Sequence, residues 1–325
     1  MKTFDEITQL ISTELDQINW KKEPSGLYEP IEYVLCMGGK RIRPALMLMA
    51  YNLYSDNLEA AILPALGIEV FHNFTLLHDD IMDRADTRRG RQTVHKIWND
   101  NTAILSGDVM QISAYQLMAE TPAKYLKTVL DIFSQTAAEI CEGQQLDVDF
   151  ELRDDVKAEE YLEMIRLKTA VLLACALKCG ALIGGAGTED AQNLYDFGLN
   201  IGLAFQLKDD LLDVYGDEVT FGKKIGGDIL CNKKTYMLIH ALKLSEGTTK
   251  EELQSWLKIK DKTQAYDKIL AITAIYDKLG IRAICEDKMH DFYRKAVANL
   301  EKVTVFEIKK QELRKLAEEL MIRNE

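Results

Sequence analysis

Proline stops at Pro122: all 5 prolines lie at or before that position, and none follows between Ala123 and Glu325. Proline removes a backbone N–H and clashes with the preceding turn, so a long proline-free stretch permits long helices. The apolar residues carry the matching period. Ile42, Leu46 and Met49 fall at steps of four and three, and Leu313, Leu316 and Leu320 take the same steps in reverse among lysines and glutamates. Both patterns predict amphipathic helices. No sustained alternation of apolar and polar residues bounded by turn signals points to strands. Turn signals are few and scattered: Pro24–Gly26, Ser55–Asn57, an arginine-rich turn ending at Gly90, Gly184–Gly187 and Gly226–Gly227. None has linker composition. With 47% apolar residues the chain can fill a sizeable core. The expectation is one all-α domain over residues 1–325.

A net charge of −12 disfavours general binding to nucleic acid or to anionic membranes, both of which select basic surface. It leaves room for anionic substrates held by metal ions and a few placed cations. The opening MKTFDEITQL has no positive segment ahead of an apolar one, so no signal peptide is expected. No charge-free apolar run reaches the roughly 18 residues of a membrane span, so no stable membrane insertion is expected. The cysteines form neither a CxxC pair nor a disulfide-like framework. Cys175 and Cys179, one helical turn apart in an apolar run, read as small core residues. A reducing cytoplasm is the expected compartment.

Two segments carry the chemistry. The first is Leu76-Leu77-His78-Asp79-Asp80-Ile81-Met82-Asp83; the second is Phe205-Gln206-Leu207-Lys208-Asp209-Asp210-Leu211-Leu212-Asp213. Each places Asp-Asp-x-x-Asp directly after an apolar helical run. Helical positions i and i+4 share a face, so Asp79 points with Asp83, and Asp209 with Asp213. Two carboxylates one turn apart make a hard oxygen site for Mg2+. One acidic cluster is ordinarily a solvated face or a helix end. Two copies, each entering from an apolar stretch, call for neutralisation. Facing helices with such sites would clamp several Mg2+ ions around one polyphosphate.

Basic residues supply a second anion site. Gly38-Gly39-Lys40-Arg41-Ile42-Arg43-Pro44 is a glycine-flanked basic turn entering a helix, with Lys40 and Arg43 three apart. Cations at a helix start oppose its dipole, which makes an anionic ligand the natural reason for them. Arg88-Arg89-Gly90 follows the first aspartate segment, and arginine suits bidentate phosphate recognition. Lys168-Thr169, Lys223 and Lys233 are weaker candidates taken singly.

In order, GGKRIRP, LLHDDIMDRADTRRG, KT, FQLKDDLLDVYGD and FGKKIGGD resemble the motifs of the trans-isoprenyl diphosphate synthases, the polyprenyl synthetase family. The resemblance runs from Gly38 to near Thr235, with no aspartate or basic position missing. It implies an all-α bundle around a deep central cavity, usually a homodimer, which condenses isopentenyl diphosphate with an allylic diphosphate. It implies roles by position. Asp79 and Asp83, with Asp80 supporting, would bind Mg2+ on the allylic diphosphate. Asp209 would bind a further ion, with Asp210 and Asp213 as ligands or supporting residues, for three Mg2+ in all. Arg88, Lys168, Lys223 and Lys233 would contact the allylic diphosphate. Gly39, Lys40, Arg43, His72 and Arg89 would bind isopentenyl diphosphate. Thr169 and Gln206 would line the reacting carbons.

The chemistry so implied is ionisation of an allylic C–O bond, attack by the isopentenyl double bond on the cation, and loss of a proton, for which the released diphosphate is the base. Growth stops where the tail meets a floor on the helix entering the first aspartate segment, at Phe71, Phe74 and Thr75. Phe74 and Phe71 would lie roughly 7.5 and 12 Å below the metal site. One aromatic residue among the two positions before the motif resembles short-chain geranylgeranyl synthases, so a C20 product is expected and C15 comes next. A class I terpene cyclase would lack the second aspartate motif and GGKRIRP. A noncatalytic partner subunit would have lost motif residues. A His-Asp phosphohydrolase, suggested by His78-Asp79, would need further histidines in a matching order. Asp147, Asp149 and Glu151 read as a solvated helix end and receive no role.

Overall fold

The computed structural model describes residues 1–216, 225–259 and 261–322 and is almost wholly helical. Its early helices are α1 (Phe4–Asp16), α2 (Ser25–Leu35), α3 (Ile42–Asn52), α4 (Glu59–Met82), α5 (Val94–Ile97) and α6 (Asp100–Met118). The proline-free region gives the long α7 (Ala123–Glu151), α8 (Ala158–Ile165), α9 (Val171–Gly184) and α10 (Thr188–Tyr215). The same region continues with α11 (Gly227–Cys231), α12 (Tyr236–Leu244), α13 (Gly247–Leu257), α14 (Ala265–Lys278), α15 (Ile281–Lys302) and α16 (Glu307–Ile322).

Contacts divide the chain into two compact units, each drawn from three stretches: 1–134, 175–194 and 304–313, and 135–174, 195–303 and 314–325. In the first, α3 is buried almost all round, from Pro44 to Asn52, as a helix apolar on every face must be. Close approach there depends on missing side chains. A Cβ on Gly180 would stand 2.0 Å from the Met47 carbonyl oxygen. On Gly67 of α4 it would meet the Ala114 carbonyl of α6 at 3.0 Å. In the second unit Tyr161, Leu207, Met237, Ile272, Ile275 and Cys285 belong to one buried apolar cluster.

Two helical stretches, Glu59–Met82 and Ala158–Gly184, are long and apolar enough to cross a membrane, but 67% and 72% of their most apolar windows are buried within the fold. They therefore read as core helices. Cys175 and Cys179 are buried, as expected. No alternation pointed to strands, yet Thr87–Arg88 and Arg91–Gln92 form a minimal antiparallel hairpin. Arg89 and Gly90 at its turn both have positive φ, at 50° and 73°, the geometry that matches the twist of a tight hairpin. Two-residue strands are too short to show alternation.

Candidate active site

Both aspartate segments stand at helix C-termini. α4 ends at Met82 with Asp83 as its cap, and α10 ends at Tyr215, just past Asp213. The macrodipole makes a helix C-terminus negative, so carboxylates there are doubly unfavourable without cations. Asp79 is half-buried and Asp83 exposed. Asp80 instead faces inward, where it accepts from Arg88 Nε at 2.8 Å. Burial pushes its pKa up to about 6, although Arg88 pulls the other way. Arg88 also reaches Asp79 at 3.5 Å.

The hairpin sends its two arginines to different partners. Arg88 goes to the aspartates; Arg89 donates to the Gly38 carbonyl, and its guanidinium occupies the space a Gly39 side chain would fill, 2.9 Å from that notional Cβ. Gly38, Gly39 and Arg41 all have positive φ, at 77°, 138° and 49°, so glycine is required where the loop is tightest. Lys40 is exposed on this loop. Arg41 turns inward to a buried ion pair with Glu69 and donates to the Leu35 carbonyl at 2.7 Å. Arg43 lies 3.0 Å from His72 Nε2. Guanidinium only donates, so that nitrogen accepts and the other ring nitrogen carries the proton. Burial, then Arg43 and Arg89, hold the His72 pKa well below 6.5.

Phe71 and Phe74 are buried with ring centroids 5.3 Å apart. Phe71 also meets Phe133 at 5.0 Å, Phe133 meets Tyr115 at 4.9 Å, and Phe74 meets His78 at 4.8 Å. The expected floor residues thus belong to an aromatic stack of which Phe133 and Tyr115 had no sequence signal. Thr75 Oγ1 bonds back to the His72 carbonyl at 2.8 Å.

In the second unit Lys168 and Thr169 sit on a π-helical turn, Arg166–Ala170, between α8 and α9. Such turns are rare and concentrate at functional sites. Gly143 of α7 and Gly202 of α10 back it: a Cβ on the first would lie 2.3 Å from Lys168 N, and on the second 2.6 Å from Ala170 Cα. Thr169 and Gln206 meet at 3.3 Å, and Gln206 donates to Asp210 at 3.3 Å. Tyr161 donates to the other Asp210 oxygen. Both Asp210 oxygens thus accept from protein donors, and burial together with nearby Asp228 pushes its pKa well above the carboxylate range. Asp209 and Asp213 are half-buried, and Asp213 accepts from Asp228 N at 3.0 Å. Lys223 lies outside the described residues. Lys233 follows α11, its N–H bonded to the Asp228 carbonyl at 2.9 Å.

The sequence reading missed Asp147. Its carboxylate takes Lys168 at 2.6 Å and lies 3.9 Å from Lys233. Its spacing from Gly143, one turn along α7, was the available signal.

The donor set fits Mg2+ better than a closed cage. Among the described residues no three His, Cys, Asp or Glu groups gather to hold a metal alone. Mg2+ keeps several waters and binds through one or two carboxylates plus phosphate oxygens, which is what a one-turn aspartate pair offers.

Residues 24–275 match the Polyprenyl synthetase family. A geranylgeranyl diphosphate synthase of Methanosarcina mazei is 42% identical over 247 residues, 74% of this chain and 76% of that one. A geranylfarnesyl diphosphate synthase of Natronomonas pharaonis is 43% identical over 238 residues, 68% of this chain and 70% of that one. A crystal structure of a geranylgeranyl pyrophosphate synthase superposes with a TM-score of 0.95 at 43% identity, covering 99% of both chains.

Proposed function

The chain is a member of the polyprenyl synthetase family, a trans-isoprenyl diphosphate synthase, and on that footing we propose that it makes a C20 diphosphate through the residues described above. The enzyme is a prenyltransferase that joins isopentenyl diphosphate to an allylic diphosphate and releases diphosphate, in a magnesium-dependent family. Asp79 and Asp83 hold metal on the allylic diphosphate, and Asp209 and Asp213 hold a further ion, three in all. Asp80, which accepts from Arg88, and Asp210, which accepts from Tyr161 and Gln206, support the metal-binding aspartates beside them. Magnesium there supplies positive charge against the leaving diphosphate.

Arg88, Lys168 and Lys233, with Lys223, orient the allylic diphosphate and stabilise charge developing on its bridging oxygen. Gly39, Lys40, Arg43, neutral His72 and Arg89 bind isopentenyl diphosphate. Thr169 and Gln206 aim oxygen dipoles at the carbocation. The Phe74–Phe71 stack keeps water from it, since hydrolysis would otherwise compete, and stops the growing tail. No side chain need act as base, because the released diphosphate takes the proton. The protein works as a cytoplasmic homodimer, paired through the apolar residues Leu105 and Ile112 that α6 leaves exposed.

The observation that carries this reading is the aspartate pair at each of two helix C-termini, where the macrodipole disfavours carboxylates and bound cations offset the charge. The test is mass analysis of products from purified protein, Mg2+, labelled isopentenyl diphosphate and C5, C10 or C15 allylic diphosphates. A linear C20 diphosphate, lost with chelator and with Asp79→Ala, is expected. A cyclic hydrocarbon, or no turnover from folded protein, would sink the reading.

A further inference from the structure

Asp147 has no part in the roles assigned above, yet two of the proposed phosphate-binding lysines converge on it. Its carboxylate accepts from Lys168 Nζ at 2.6 Å and lies 3.9 Å from Lys233 Nζ. Its side chain is only 16% exposed. Burial pushes its pKa up, but Lys233 and Lys168 outweigh burial and hold it below the ordinary range, so it is charged at neutral pH. A carboxylate beside cations that receive a diphosphate weakens anion binding by its charge alone. Its presence therefore calls for a geometric reason.

That reason lies in α7. Gly143 lets the backbone of the π turn approach, since a Cβ there would stand 2.3 Å from Lys168 N. One turn on, Asp147 catches the end of the same side chain. Lys168 is thus fixed at both ends by one helix face. Lysine is a long, flexible side chain, and ordering it costs rotamer entropy. Two ammonium groups drawn to one anion are also held at a set spacing; without it they repel.

We propose that Asp147 is a positioning residue for the allylic diphosphate, a shared counter-ion that sets the orientation of Lys168 and Lys233 before substrate arrives. This rests on the lysine roles assigned above. Asp147 touches no reacting atom; it arranges the groups that do.

Steady-state kinetics with the full chain, Mg2+ and both diphosphates test it. Asp147→Asn keeps the shape and removes the charge, and Asp147→Glu keeps the charge. The expected result is a fall in kcat/KM for the allylic diphosphate on the order of tenfold in Asp147→Asn. The KM for isopentenyl diphosphate stays within about twofold, and Asp147→Glu recovers part of the loss. In a Lys168→Ala/Lys233→Ala background, adding Asp147→Asn changes nothing more. Two outcomes overturn the proposal: an unchanged kcat/KM in Asp147→Asn, or an equal loss with and without the lysines, as a purely structural role would give. If the single lysine variants themselves keep full allylic kcat/KM, the lysine assignment fails and takes the proposal with it. Impaired lysine variants beside an unimpaired Asp147→Asn isolate failure of the proposal alone.

Discussion

His72 shows how single side chains here are set by their neighbours. Burial and the Arg43 and Arg89 guanidinium groups disfavour its charged form, so the folded protein binds fewer protons at this site than the unfolded chain. A base with a depressed folded pKa gives stability that is present above its unfolded pKa near 6.5 and lost as pH falls below it. NMR of the ring is expected to show neutral imidazole at pH 6, and His72→Asn to flatten the loss of stability between pH 6.5 and 5. A ring titrating near 6.5 in the native protein would contradict this. The Arg41–Glu69 pair makes a second case. Both side chains are buried, and Asn73 donates to Glu69 at 2.9 Å. Removing one partner strands the other's charge, so Glu69→Ala should cost about 3–5 kcal/mol in urea unfolding. Residue type and spacing point Asp79 to a metal and Lys40 and Arg43 to an anion, and the family resemblance implies their particular roles. Which of two neighbouring arginines, separated by one residue, turns inward was not legible. Arg41 and Arg43 share a motif and differ only through the positive φ of Arg41 and the partner that awaits each.

At the scale of elements, backbone irregularities do the placing, and these leave the faintest trace in sequence. Long helices follow from the absence of proline and from the apolar period, and they were expected. The π turn at Arg166–Ala170 is backed by Gly143 and Gly202, both remote in sequence, and the strands of the hairpin at Thr87–Gln92 have two residues each, too few to show alternation. Gly143→Ala tests the turn. Its Cβ would stand 2.3 Å from Lys168 N, so α7 and the turn must part. Overpacking of this kind costs about 1–3 kcal/mol, and thermal unfolding should show it together with a drop in allylic kcat/KM. The aromatic stack tests the floor. Phe74 joins His78 to Phe71, which rests on Phe133. Phe74→Ala removes the upper layer and leaves the lower one. Product mass should therefore shift by one isoprene unit, C20 to C25, rather than to an unlimited series. An unchanged product profile would place the floor elsewhere.

For the molecule as a whole, charge and apolar surface pull in opposite directions. Each chain carries −12, so two copies repel at long range. Yet α6 leaves Leu105 at 56% and Ile112 at 59% exposed, one heptad apart, with Ile104 beside them at 42%. A helix face of this composition is ordinarily covered, and the proposed cover is the same stripe on a second copy, because a closed two-fold pairs identical patches. No linker composition marked the two units in the sequence, and each is drawn from three stretches, so neither can be cut out as one segment to test this separately. The full chain must be used. Light scattering is expected to give twice the 36.9 kDa chain mass. Leu105→Glu/Ile112→Glu should halve it, since four buried carboxylates would face one another without partners. Salt distinguishes this association from one built on ion pairs. Screening weakens attraction between opposite charges but here relieves repulsion between like ones. Raising ionic strength should therefore strengthen the dimer, and a dimer that salt dissociates would mean that charged groups, not the α6 stripe, hold it.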